Sequence, residues 1–120
     1  MMKFRFQDLD IWKKSIEISD KIFDISDNLV KRHLYRFAEQ LRGSCLSVSN
    51  NIAEGSGSLS KKEFIQFLNF SRRSIFETAN IIILNKRRLI SDDICKKLLT
   101  DIDSLSRQVT NFQKSLKAVD

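Results

Sequence analysis

Apolar residues recur at intervals of three and four along almost the whole chain, a spacing that places them on one face of an α-helix. The first predicted helix runs from about residue 8 to residue 29 and starts at Asp8, a residue type favoured at helix starts. Its apolar positions include Leu9, Ile11, Trp12, Ile16, Ile18, Ile22, Phe23, Ile25, Leu29 and Val30. One bundle core covers only part of so broad a stripe, so we expect the rest to contact a second copy of the chain. Trp12 is then an anchor in the core or in a subunit interface.

The second predicted helix covers about residues 33 to 55. Its apolar stripe is Leu34, Phe37, Leu41, Cys45, Val48 and Ile52. The stripe ends at the sequence Gly55-Ser56-Gly57-Ser58, where we expect a glycine in the left-handed conformation to close the helix.

The third helix is predicted over residues 60 to 89 and the fourth over residues 91 to 118. Ser60 and Glu63 have the spacing of a capping box, and Ser91 precedes two acidic residues in a first turn. The third helix carries small polar residues among its apolar ones, which predicts close approach of a neighbouring helix: Ser71, Ser74, Thr78 and Asn85. The fourth has the most regular heptad pattern: Leu98, Ile102, Leu105, Val109, Phe112, Leu116 and Val119.

Four helices joined by short loops must run up and down. The chain has no proline and three glycines, so little interrupts its helices. We therefore predict an all-α, antiparallel, up-and-down four-helix bundle, with residues 1–120 as a single domain. The start of the chain lacks a signal-peptide pattern, and the longest apolar run, residues 81–84, is too short to cross a membrane. We expect a cytoplasmic protein without membrane contact, in which Cys45 and Cys95 are reduced core thiols.

The net charge of +6 arises in the middle of the chain. Residues 31–59 carry four basic and two acidic residues and residues 60–90 carry seven and two, whereas residues 1–30 and 91–120 are nearly neutral. In an antiparallel pair, the start of the second helix lies near the end of the third, so their basic clusters should adjoin and suit phosphates. The candidate nucleic-acid-binding residues are Lys31, Arg32, Arg36, Arg72, Arg73, Lys86, Arg87 and Arg88.

Two functions are compatible with this surface. One is a non-catalytic protein that binds RNA or DNA without sequence preference, because we find no helix-turn-helix, no zinc-finger spacing and no basic stretch interleaved with stacking aromatics. The other is an oligomeric scaffold for an acidic protein partner, since basic residues also favour helix ends and solubility.

The sequence offers no catalytic residues, no metal site and no cofactor motif. The only histidine is His33, with no glutamate three residues before it, which argues against a di-iron bundle. Neither cysteine has an activating base in its sequence pattern. We therefore expect a protein that is not an enzyme.

Four segments resemble the 23S rRNA intervening-sequence protein family, whose members are described as four-helix-bundle proteins. The segments are FQDLDIWKK from Phe6, EQLR from Glu39, SVSNNIAEG from Ser47 and EFIQFL from Glu63. The resemblance covers most of the chain in matching order.

The resemblance implies a homo-oligomer, typically a ring-like pentamer. The accessory protein of diversity-generating retroelements has a similar pentameric form that binds nucleic acid and a reverse transcriptase, so such a partner is one expectation. The family motif residues Arg42, Asn51, Glu54 and Gly55 are expected to be structural. In particular, we expect a buried Glu54 carboxylate to pair with Arg42 or with an arginine of the third helix.

Overall fold

The computed structural model describes residues 2–84 and 89–118, which form a short 3-10 helix and four α-helices. The 3-10 helix is Arg5–Asp8; the α-helices are α1 (Asp10–Lys31), α2 (Tyr35–Ser56), α3 (Lys61–Leu84) and α4 (Asp92–Lys117). Each helix packs against the next, and α4 returns to α1 to close the bundle, which measures 49 × 30 × 21 Å. The predicted all-α four-helix bundle is confirmed. Within the described residues, no helix is long and apolar enough to cross a membrane.

The predicted helix starts of α3 and α4 are capped as expected. The Ser60 hydroxyl accepts a hydrogen bond from the Glu63 backbone N–H at 3.1 Å, and the Ser91 hydroxyl accepts one from Ile94 at 3.3 Å. Such caps satisfy backbone donors that the first helical turn leaves free. At the other end, the described part of α3 stops at Leu84, and Leu89 lies in a turn rather than in the helix predicted up to that residue.

A left-handed residue ends α1 rather than α2. His33 has a φ of 62°, and two hydrogen bonds of 2.9 Å close the turn: His33 N–H to the Val30 carbonyl and Leu34 N–H to the Leu29 carbonyl. This bonding pattern is the Schellman motif. The predicted left-handed glycine after α2 is wrong, because none of the three glycines has a positive φ and Gly57 stays right-handed at −84°.

The apolar stripe of α1 is covered by other helices of the same chain. Ile11, Ile18, Ile22 and Leu29 are buried in a core shared by all four helices, and the remaining apolar residues of α1 are half-buried. No apolar residue of α1 is exposed, so the breadth of its stripe gives no argument for a second copy. Exposed large apolar side chains lie instead on α2, α3 and α4 and near the start of the chain.

Small and polar residues join α2 to α3. Three side-chain hydrogen bonds of 2.9 Å cross between these helices: Ser71 to the Val48 carbonyl, Ser74 to Ser47, and Thr78 to Ser44. One end of the interface is closed by Gly55, where an added Cβ would come within 2.8 Å of Phe64 and of Phe67. The predicted close approach is therefore confirmed at the three described polar positions, whereas Asn85 lies outside the described residues.

Helices α1 and α4 meet around a core cavity. Ile18 of α1 lines it together with Ile102 and Leu105 of α4, and the small Ser15 and Ser19 of α1 line it as well. At the rim, the Asp101 carboxylate accepts a hydrogen bond from Lys21 at 3.1 Å and forms an ion pair with Lys14 at 3.8 Å. The bundle thus has one closely packed helix pair joined by hydroxyl groups, and one pair with a small cavity and ionic contacts at its rim.

Candidate nucleic-acid interface

A basic corner is formed where α1 turns into α2. We define it by Lys31, Arg32 and Arg36, whose side chains are all exposed. The Arg32 guanidinium donates to the Leu89 carbonyl at 3.0 Å, which joins this corner to the connection between α3 and α4. The start of α2 therefore adjoins the region after α3, as the antiparallel arrangement predicts.

The second predicted cluster, Lys86, Arg87 and Arg88, lies outside the described residues. The described residues on either side are Leu84, which is exposed, and Leu89, which is half-buried and accepts the hydrogen bond from Arg32. The contact between the two basic clusters therefore stays a prediction.

Arg72 and Arg73 do not join the basic corner. Their neighbour Ser71 bonds the Val48 carbonyl, which places this part of α3 beside the middle of α2. Arg36 precedes Val48 by twelve residues, about 18 Å along a helix at 1.5 Å per residue. The two arginines are a separate group, midway along α3.

A buried amide holds Arg72. Gln113 of α4 is only 7% exposed and donates through Nε2 to the Ile65 carbonyl at 3.1 Å. Its Oε1 lies 3.5 Å from Nη1 of Arg72, a long hydrogen bond. The Arg72 Nε atom is buried without an acceptor. Arg73, in contrast, is exposed and has no side-chain partner among the described residues.

Two aromatic rings of α3 are exposed near these arginines. Phe76 is 65% exposed and Phe70 is 39% exposed. We expected no basic stretch interleaved with stacking aromatics, and the exposure of these rings beside Arg72 and Arg73 corrects that expectation for α3.

The expected buried ion pair of Glu54 is absent from the described residues, and the structural role of the family motif residues stays a prediction. Glu54 is exposed, and no side chain of the described residues pairs with it. Arg42 instead bonds Asp27 of α1 at 2.6 Å, a contact that joins α2 to α1. Asn51 donates to the Ser47 carbonyl of its own helix at 2.8 Å, and Gly55 permits the close approach of α3.

The two thiols are free and buried. Burial raises the pKa of Cys45, which keeps this thiol in its neutral, weakly nucleophilic form. A core cavity of about 10 Å³ beside Cys45 is lined by Ser15, Ser19 and Thr78 among others, and it has room for about one water molecule. In the part of the chain that the structure describes, no three histidine, cysteine or acidic residues are grouped as a metal site would require.

A further basic group, not among the predicted site residues, lies at the end of the bundle opposite the basic corner. Lys62 and Lys117 line an open groove there beside Ser60 and Ile65. The predicted up-and-down topology already places the start of α3 near the end of α4, so topology and charge together could have indicated this group.

Comparison with known proteins identifies relatives of the fold. The family model described as 23S rRNA-intervening sequence protein matches residues 7–111. Among solved structures, the chain is similar to a protein of unknown function from the S23 ribosomal protein family of Bacteroides thetaiotaomicron, with a TM-score of 0.82 and 23% identity. The match covers 87% of this chain and 98% of that one. No curated protein matches the chain.

Proposed function

The chain belongs to the 23S rRNA-intervening sequence protein family, and from that premise we propose that it is a non-catalytic, homo-oligomeric cytoplasmic protein that binds RNA or DNA without sequence preference. The basic corner is the surface proposed to contact phosphates. In this role the protein needs no cofactor, and the bundle presents positive charge to a polyanion.

The observation that carries the proposal is the composition and exposure of the basic corner. Residues 28–38 contain Lys31, Arg32 and Arg36 and no acidic residue. All three side chains are exposed, and Arg32 is held in place by its bond to the Leu89 carbonyl. Lysine and arginine that contact phosphates release counterions and do so without reading bases. The expected binding is therefore electrostatic and tolerant of sequence.

Exposed apolar residues at the same end of the bundle support the homo-oligomer. Ile83 and Leu84 at the end of α3 are 51% and 60% exposed, and Ile94 of α4 and Phe37 of α2 are exposed as well. Apolar surface of this kind favours contact with another protein surface. A ring of identical subunits, such as the pentamer that the family resemblance implies, would repeat the basic corner around its axis.

Charge reversal at the basic corner tests the proposal. We expect Lys31→Glu with Arg36→Glu to weaken binding to unrelated RNA and DNA sequences alike, by about tenfold or more at low salt, because phosphate contacts dominate such binding. The matched control reverses Lys13 and Arg107, two exposed basic residues on α1 and α4. Because Arg107 pairs with Asp103, Lys114 of α4, which is exposed and has no ion pair among the described residues, replaces it beside Lys13 in a second control. Both controls should change affinity much less. Fluorescence anisotropy at several salt concentrations measures affinity, and sedimentation measures mass.

Two results would reject parts of the proposal. If the parent protein does not bind nucleic acid at low salt, or if the corner variant binds as well as the parent, the scaffold for an acidic protein partner, a reverse transcriptase among the candidates, takes precedence. A single sedimenting species of 14.0 kDa at micromolar concentration would remove the homo-oligomer.

A further inference from the structure

A small group of side chains on the outer surface of α3 surrounds an exposed aromatic ring. Phe76 is 65% exposed. Residues three and four positions apart are neighbours on a helix surface, so Phe76 lies beside Arg72 and Arg73 on one side and beside Asn80 on the other. Arg73 and Asn80 are exposed, and neither has a side-chain partner among the described residues. An aromatic face is thus presented to solvent between hydrogen-bond donors.

Most N–H groups of the Arg72 side chain have no acceptor among the described residues. Its guanidinium has five N–H groups, and the structure gives it one acceptor, Oε1 of Gln113, at 3.5 Å. That acceptor is itself fixed, because Gln113 is buried and donates to the Ile65 carbonyl. The Arg72 Nε–H is buried with no acceptor at all, an arrangement that costs stability. A buried amide therefore holds an arginine whose donors are mostly unused.

The same face of α3 continues this donor pattern toward the start of the helix. Asn69, Gln66 and Lys62 follow at helical spacing, all exposed and without a partner among the described residues. From Lys62 to Asn80 the line spans about 27 Å at 1.5 Å per residue. Two exposed carboxylates flank this line, Glu77 one turn after Arg73 and Glu63 one turn before Gln66, and neither forms an ion pair with the line among the described residues. The line thus carries donors along its length, with a carboxylate beside each end.

This combination favours an unpaired nucleic-acid strand. Arginine binds phosphate oxygens through two parallel N–H groups, and an exposed aromatic ring stacks on the face of a base. In a duplex, base stacking covers those faces, so Phe76 gains nothing from duplex binding.

We propose that Arg72, Arg73, Phe76 and the flanking Asn69 and Asn80 form a binding site for single-stranded nucleic acid. The ring of Phe76 stacks on one base, the two arginines bind adjacent phosphates, and the amides hydrogen-bond to base edges or sugars. This proposal deepens the proposed function and rests on it, since it presupposes that the protein binds a polyanion. It adds a preference for unpaired strands that the basic corner alone does not supply.

The test compares single-stranded and duplex RNA on the full chain. We expect Phe76→Ala to weaken binding to a labelled oligouridine of about 12 nucleotides by at least about fivefold, since stacking on an aromatic side chain accounts for much of single-strand affinity. Binding to a duplex of the same length should not change. Phe76→Tyr, which keeps a stacking ring, should bind the oligouridine like the parent. The matched control is Phe4→Ala, which removes a ring of almost equal exposure, 66%, near the start of the chain and away from α3.

Each remaining outcome decides against the site. Equal losses for both RNAs, no loss for either, or an equal effect of Phe4→Ala would overturn it. A smaller sedimenting mass for Phe76→Ala with unchanged RNA affinity would assign the ring to contact between copies of the chain. If the Lys31/Arg36 variant loses binding while Phe76→Ala does not, only this inference fails. If the parent binds neither RNA, both proposals fail. Circular dichroism verifies that each variant remains helical.

Discussion

The α2–α3 and α1–α4 interfaces differ in the side chains that form them. Between α2 and α3, serine, threonine and glycine keep side-chain volume small, and hydroxyl groups bond across the gap. Between α1 and α4, Ile18, Ile102 and Leu105 line a small core cavity together with Ser15 and Ser19, and Asp101 forms ion pairs with two lysines at the rim. The first interface leaves no free space beside Gly55, whereas the second includes a cavity and flexible charged side chains. We therefore expect the first to tolerate substitution far less.

The largest expected effect is an added methyl group at the α2–α3 interface. In Gly55→Ala the new Cβ would lie 2.8 Å from the Phe67 Cβ, an atom that cannot move without its helix. We expect the free energy of unfolding to fall by about 1–3 kcal/mol, the usual cost of overpacking. Urea denaturation monitored by circular dichroism measures the change.

Gly43→Ala is the control for this glycine, since no atom lies within 4 Å of its added Cβ and the residue is exposed in the middle of α2. Alanine is the better helix former, so this variant should be about 0.5–1 kcal/mol more stable than the parent. If both substitutions shift stability in the same direction, the glycine at position 55 has no special role in helix packing.

A smaller effect is expected from removing one hydroxyl group at the same interface. Thr78 contacts Ser44 at 2.9 Å and donates to the Ser74 carbonyl at 2.8 Å. Thr78→Val keeps the shape but loses these bonds, and we expect about 1 kcal/mol less stability. The control, Thr100→Val, removes only a bond within α4 on an exposed residue, from its hydroxyl to the Lys96 carbonyl. An equal loss in both variants would mean that the bond across the interface contributes nothing.

The smallest effect is expected at the α1–α4 rim. Asp101→Asn removes the charge that Lys14 and Lys21 share. The lysines are partly exposed, so we expect a loss of about 1 kcal/mol or less, shrinking as salt is added. Asp103→Asn, which breaks an exposed pair with Arg107 within α4, is the matched control. A loss near that of Gly55→Ala, unchanged by salt, would contradict the distinction between the two interfaces.

The regular helices could be predicted from the sequence because burial follows the period of the helix. In α4, Leu98, Ile102, Leu105 and Val109 are all buried, as their heptad spacing predicts. The small polar residues of α3 also signalled a close helix contact before any partner was known. Both signals are local to one helix, which is why a single sequence suffices for them.

Other features depend on contacts between segments that are distant in the sequence. A glycine near a helix end is needed either because its backbone is left-handed or because a side chain would not fit. The sequence does not distinguish these two reasons, so the left-handed glycine predicted at the end of α2 was wrong. The hydrogen bond that Arg72 donates to Gln113 spans 41 residues and follows no motif. The exposure of Phe76 depends on where α4 passes, which helical periodicity alone does not fix. The candidate site was therefore only partly predictable.

Gly55 also determines how far α2 and α3 can slide past each other. The hydroxyl groups repeat along both helices, so a slip of about one turn would still place Ser44 opposite Ser74 and Ser47 opposite Ser71. The same slip would move Phe64 and Phe67 away from Gly55, the position where the missing side chain makes room for both residues. The hydrogen bonds hold the two helices together, but it is the missing side chain that selects a single register.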